Sequence, residues 1–244
     1  MTDLELGLLE PLPWDTENFG FGVARWTGGE LDATALRAAE QSGRTAGIRL
    51  VYVNLRPDQP AAERALEQVG ATLVDRKTNF AKALDPATRW PAEVQEFAGA
   101  APTAALVELA LASGVRSRYL VDPKMPRACF ETLYRLWIAR SVARQIADTV
   151  LVVPGAAGED GMVTLKVEDG HVARIGLIAV SAGCRGQGVG GKLLRAAEAW
   201  AVGRGCDRME VITQGDNQQA VALYTRGGYT VDWTKHVWHW WLGQ

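Results

Sequence analysis

The chain has 244 residues with 26 basic and 28 acidic side chains, a net charge of −2, so it offers no overall positive field for a polyanion and is not expected to bind nucleic acid. At 48% hydrophobic and 22% charged residues it has a globular composition, without the polarity of disorder or the long apolar runs of a membrane protein. The opening MTDLELGLLEPL is acidic and lacks a basic segment leading into an apolar one, which predicts no secretory leader and a cytoplasmic protein. Cys129, Cys184 and Cys206 are odd in number and widely spaced, which suits small buried side chains and predicts neither a disulfide framework nor a metal site.

From Leu4 to Leu84 the apolar pattern predicts strand, strand, helix, strand, helix, strand: LELGLLE, FGVARW, a helix after Asp32, IRLVYVNL, a helix through AAERALEQVG, and TLVDRKTNFAKAL. Trp14 and Phe19 read as loop residues. Pro86, Pro91 and Pro102 interrupt regular structure between Asp85 and Pro102. A boundary placed there gives an N-terminal α/β domain over residues 1–90 and a second domain over 91–244. Next come helices over Thr103–Ser113 and Cys129–Ala143, the latter with Phe130, Leu133, Tyr134, Trp137, Ile138 and Ser141 on one inward stripe. TVLVV begins a run of strands, and Asp169-Gly170 between MVTLKV and HVARIGLIAV predicts a tight antiparallel hairpin. A helix with Leu193, Leu194, Ala197, Trp200 and Ala201 on one face follows, then strand DRMEVITQ, helix NQQAVALYTRG and a last strand from Tyr229 to Leu242. In that last strand Trp238 and Trp240 share one face and Val237, His239 and Trp241 the other, which predicts cover on both sides. His171, His236 and His239 have no metal-like neighbours and receive no role. The fold class expected is α/β (α+β), several antiparallel strands leading into a β-α-β-α-β ending.

Between a strand and an amphipathic helix stands Cys184-Arg185-Gly186-Gln187-Gly188-Val189-Gly190-Gly191-Lys192. A helix start presents unpaired amides and the positive end of its dipole, and glycines let a phosphate approach them, so the segment predicts an anion site. The bland alternative is a glycine-rich connection without a ligand. Gly186, Gly188 and Gly191 also match a dinucleotide fingerprint, with Glu210 downstream. Only about fifty residues follow Gly191, enough for two strands and a helix and too few for a doubly wound domain.

Arg185-x-x-Gly188-x-Gly190, followed by Asn217-x-x-Ala220-x-x-Leu223-Tyr224-x-x-x-Gly228-Tyr229, resembles the signature of the GCN5-related N-acetyltransferases (GNAT). The resemblance runs from about Thr103 onward and implies a mixed, mainly antiparallel twisted sheet that binds acetyl-CoA. It implies the coenzyme diphosphate on the amides of Arg185, Gly186, Gln187, Gly188, Val189, Gly190 and Gly191. Pantetheine would run along the backbone of Ile178, Ala179 and Val180, where two parallel strands splay, and Asn217 would contact the coenzyme while capping its helix. The oxyanion donor implied is a backbone amide near Ile178 to Val180. Arg185 reads equally as a phosphate ligand and as a solvated side chain.

Attack of an amine on a thioester needs a proton for the departing sulfur and a sink for the amine proton. Tyr224 matches the general acid of the family; with an ordinary pKa near 10 it is protonated at neutral pH. Its bland reading is a core tyrosine at helical spacing. Nearly the whole chain resembles one branch, the bacterial TDP-fucosamine acetyltransferases, through Glu10-Pro11-Leu12-Pro13-Trp14 with Phe19-Gly20, Leu66-x-x-x-Gly70-x-x-Leu73-Val74-Asp75, Ser117-Arg118-Tyr119 and Tyr134-x-x-Trp137-Ile138. That branch implies Asp75 as a base acting through water, although an aspartate beside Arg76 and Lys77 on a strand more often reads as an exposed ion-pair partner. The acceptor implied is a small-molecule amine, the 4-amino group of a TDP-linked 4-amino-4,6-dideoxysugar. Polyamines, aminoglycosides, a protein N-terminus, and a non-catalytic acyl-CoA sensor are the competing readings. A homodimer is compatible with all of these, and twenty arginines against six lysines suit a GC-rich bacterial genome.

Overall fold

The computed structural model describes residues 7–243. In chain order the first half comprises β1 (Leu9–Pro11), α1 (Pro13–Phe19), β2 (Gly22–Trp26), α2 (Ala33–Thr45), β3 (Ile48–Leu55), α3 (Pro60–Gln68) and β4 (Thr72–Ala83). The second comprises β5 (Gln95–Glu96), α4 (Ala104–Ser113), α5 (Arg118–Val121), α6 (Arg127–Val142), β6 (Thr149–Gly155), β7 (Gly158–Glu168), β8 (Val172–Val180), α7 (Val189–Val202), β9 (Arg208–Gln214), α8 (Gln218–Arg226) and β10 (Thr230–Trp241). Local chemistry sets many of these ends. Asp32 caps α2 by accepting from the Thr34 and Ala35 amides, Thr103 caps α4, and α1 and α3 each begin on proline. The β7–β8 hairpin turns through Asp169 and Gly170, both at positive φ.

Two expectations change here. Trp14 and Phe19 lie in a helix, α1, whose seven residues are too few to show a helical period. The strand expected over LELGLLE is seen at Leu9–Pro11, and residues 4–6 lie outside the described residues.

Among the described residues ten strands form one sheet in the order β1-β2-β3-β10-β4-β9-β8-β7-β6-β5, parallel at β2–β3 and β8–β9 and antiparallel elsewhere. β10 stands between β3 and β4, so the last strand of the chain is seated among the strands that precede residue 90. The segment placed at the domain boundary connects β4 to β5. One face of the sheet packs on α1, α4, α5 and α6 through Phe19, Leu106, Tyr119, Phe130, Leu133 and Ile138. On the other face α2 and α3 cover β1–β3 and β10, and α7 and α8 cover the strands from β4 to β6. β10 is buried on both sides as its pattern predicts: Trp238 and Trp240 join the α2/α3 core and Trp241 the opposite one.

Candidate active site

β8 and β9 pair in parallel only from Val172↔Arg208 to Ile175↔Val211. Beyond that point β9 continues on β4 as far as Gln214↔Lys77, and β8 continues on β7 as far as Val180↔Gly161, so the two parallel strands part. A bulge between Val163 and Leu165 accompanies the divergence, with Thr164 Oγ1 accepting from the Leu177 N–H at 2.8 Å. The Ser181 N–H is spent on Asp160 O at 2.8 Å, on the β7 side. Backbone alternation then turns the Ile178 and Val180 amides toward the opening. Ile178, Ala179 and Val180 are half-buried, as the walls of a slot would be.

The glycine segment closes the same end. Gly186 and Gly188 both have φ near +78°, Gly188 being the residue before α7, and a Cβ at either would meet nothing within 4 Å. Their constraint is the left-handed backbone itself. No side chain caps α7, whose first internal bond runs from Lys192 N–H to Gly188 O, so the Val189, Gly190 and Gly191 amides open the helix without a side-chain acceptor. Arg185 Nε donates to Val180 O at 3.3 Å and Gln187 Nε2 to Gly183 O at 2.9 Å, while Arg185, Gly186, Gln187 and Gly188 are all exposed. A slot between parted strands that ends on an uncapped helix N-terminus fits a pantetheine arm with a diphosphate at its end.

On α8, Asn217 accepts from the Ala220 N–H at 3.3 Å, the capping role foreseen for it. Tyr224 is buried, its ring 5.7 Å from Phe80 and 6.0 Å from Tyr229, and burial alone pushes its phenol well above the ordinary range. The hydroxyl makes no hydrogen bond among the described residues. Phe80 opposes Val211, so Tyr224 packs level with the last β8–β9 pair, at the root of the opening.

Asp75 is not the exposed ion-pair partner that its neighbours suggested. It is 8% exposed, and Arg76 turns the other way to pair with Asp216 at 2.8 Å. Asp75 Oδ1 is buried without a partner, and burial pushes its pKa up to about 6 against the opposing pull of Arg118 and Lys77. Two residues before Lys77, it lies just past the end of β9, level with the unpaired stretch of β8.

Around it stand residues to which the sequence reading assigned no role. The Arg118 guanidinium lies 4.8 Å from the Tyr52 ring centre and 4.6 Å from that of Tyr119, and bonds the Tyr119 hydroxyl at 2.5 Å. Tyr52 donates to Asp15 of α1 at 3.3 Å and stacks on His239 at 5.0 Å. His239 Nδ1 is 2.6 Å from Asp122 Oδ2, which also accepts from Trp241 Nε1 at 2.9 Å. Burial holds His239 below its usual pKa, hence neutral. Ser117-Arg118-Tyr119 was visible as a matching triplet, but nothing in its sequence neighbourhood marks Tyr52 or Asp15 as its companions.

Residues 128–229 match the model of the acetyltransferase (GNAT) family. Over that stretch the chain is similar to the GNAT acetyltransferases. The match begins in α6 and ends at Tyr229, so it takes in β8, the glycine segment and α8 and leaves β1–β4 and α5 outside. The chain is also 28% identical to the dTDP-fucosamine acetyltransferase of Escherichia coli O6:H1 over 229 residues, 93% of this chain and 96% of that protein. It is 38% identical over 66 residues to the mycothiol acetyltransferase of Beutenbergia cavernae, a stretch covering 27% of this chain and 22% of the other. Among solved structures, a GCN5-related N-acetyltransferase from Sphaerobacter thermophilus superposes with a TM-score of 0.60 at 17% identity, covering 95% of this chain and 75% of that one. GNAT enzymes use acetyl-CoA as donor. Among the described residues no cluster of three or more His, Cys, Asp or Glu side chains is placed to hold a metal, and no helix is long and apolar enough to cross a membrane.

Proposed function

We propose that this GNAT enzyme transfers the acetyl group of acetyl-CoA directly to the amino group of a TDP-linked 4-amino-4,6-dideoxysugar. The observation that carries the reading is the end-to-end likeness to a dTDP-fucosamine acetyltransferase. It extends through the front half, which lies outside the family match and supplies Asp15, Tyr52 and Asp75.

The coenzyme diphosphate lies on the amides from Arg185 to Gly191, and the thioester beside Ile178 to Val180, whose inward amides stabilise the oxyanion. Asp75, ionised above about pH 6, receives the ammonium proton through a water and leaves a neutral amine. The amine nitrogen bonds to the acyl carbon to give the tetrahedral oxyanion, which collapses as the carbon–sulfur bond breaks; the Tyr224 hydroxyl gives its proton to the thiolate, the phenolate takes back the proton that the acetylated nitrogen sheds, and Asp75 returns its own proton to water. Burial keeps that phenol protonated across neutral pH, as a general acid requires.

Thiol release from acetyl-CoA, followed with a panel of TDP-linked amino sugars, an aminoglycoside, a polyamine and a peptide N-terminus, tests the acceptor. Turnover is expected with a TDP-linked 4-amino sugar. Turnover of another amine and of none of the sugars would move the acceptor to that class.

A further inference from the structure

In the β4–β10 ladder, Lys77 stands directly opposite Lys235. Like charges facing each other on one side of an antiparallel pair repel, and neither of these two forms an ion pair among the described residues. Arg118 adds a third cation on the same side, and Arg174, a fourth, is already held by Glu168 and Glu210. The carboxylate that faces Lys77 is that of Asp75. Lys77, Lys235 and Arg118 against Asp75 and Asp15, which faces Arg118, leave a net positive charge even with both carboxylates ionised. Half-buried Lys77 is held below its usual pKa by burial and then by Arg118, which together outweigh the relief from Asp75. Lys235 is exposed, its ammonium 5.1 Å from the centre of the Trp233 ring, two positions away on the same face.

We propose that Lys77 and Lys235, backed by Arg118 and with Lys235 propped on Trp233, hold the diphosphate of the acceptor nucleotide. The proposal rests on the nucleotide-sugar reading above and adds where such an acceptor is gripped. Two residues along one strand separate Lys77 from Asp75, about 7 Å. That matches a hexose laid between them, its 4-amino group at Asp75 and its anomeric oxygen at the lysines. The pocket is distinct from the glycine segment, which faces the other ligand across the opening.

Calorimetric titration of dTDP into protein saturated with CoA, so that the glycine segment is filled, tests the pocket. Binding is expected, weakened about tenfold in Lys235→Gln, whose exposed side chain leaves folding intact. The ratio of kcat/KM for a TDP-linked over a phosphate-free amino sugar should fall by a similar factor. Equal dTDP affinity in the variant, or binding only when CoA is absent, overturns the proposal. Lysine-dependent dTDP binding with no turnover of any TDP-linked sugar upholds the pocket and removes the acceptor reading; turnover with an unchanged KM in Lys235→Gln does the reverse.

Discussion

The proposed coenzyme wall, from β8 through the glycine segment into α7, is one unbroken stretch of residues 172–202, whereas the proposed acceptor cluster draws Asp15, Tyr52, Asp75, Lys77, Arg118 and Lys235 from five elements. The first offers main-chain amides that a helix start leaves free in any case, so binding there costs the fold little. The second offers side chains whose charges are poorly matched in the free protein: a buried carboxylate with an orphaned oxygen, two opposed lysines and an arginine with a buried, unpaired Nε. Such groups are expected to weaken the fold and to be retained for what they bind.

The sharpest way to break this contrast is Asp75→Asn. As a base, its loss should lower kcat by about 10²- to 10⁴-fold, and the fall in wild-type kcat/KM below about pH 6 should be absent from what remains. The stability effect has the opposite sign. A carboxyl whose folded pKa is raised holds its proton longer in the native state, so it costs stability as pH climbs from about 4 to 6, and the whole cost persists at pH 7. Asn, which carries no charge, should therefore raise Tm at pH 7, with a gain on the order of 1–3 kcal/mol that vanishes near pH 4. A variant that keeps its activity and melts lower would make Asp75 a structural residue.

Tyr224→Phe probes the coenzyme side at the next level of effect. Packing against Phe80 and Tyr229 survives the change, and the hydroxyl has no protein partner to orphan. Melting should be unchanged, kcat should drop about 10²-fold, and KM for acetyl-CoA should stay put. Steady-state kinetics with both substrates decides it, an unchanged kcat displacing Tyr224 as the acid.

These two walls also differ in how far they could be read from the chain. The glycine segment, the Asn217 cap and Tyr224 are local patterns, the first separated from the second by α7 and β9 and the second from the third by two turns, and a helix start has the same chemistry in any fold. The final strand was legible too, because Trp238 and Trp240 alternate with Val237, His239 and Trp241. The acceptor cluster was not. Asp75 looks solvated beside Arg76 and Lys77 until β10 and α5 cover it, and Lys235 acquires its meaning only through a register that sets it against a residue 158 positions earlier. The seating of β10 between β3 and β4 is non-local in the same way, since no pattern inside either strand names its partner.

Arg185 gives the smallest effect and tests whether the coenzyme wall is main-chain throughout. Its guanidinium is exposed, and its Nε is already used on Val180 O at 3.3 Å, so it holds the turn against the end of β8 and leaves only its outer nitrogens for phosphate. In water such a charge contributes little. Arg185→Met keeps the apolar stem and should raise KM for acetyl-CoA about threefold, with kcat unchanged and the difference shrinking at high salt. A rise of a hundredfold would mean that a side chain, and not the amides of Val189 to Gly191, carries the diphosphate, and the contrast between the two walls would then rest on the acceptor side alone.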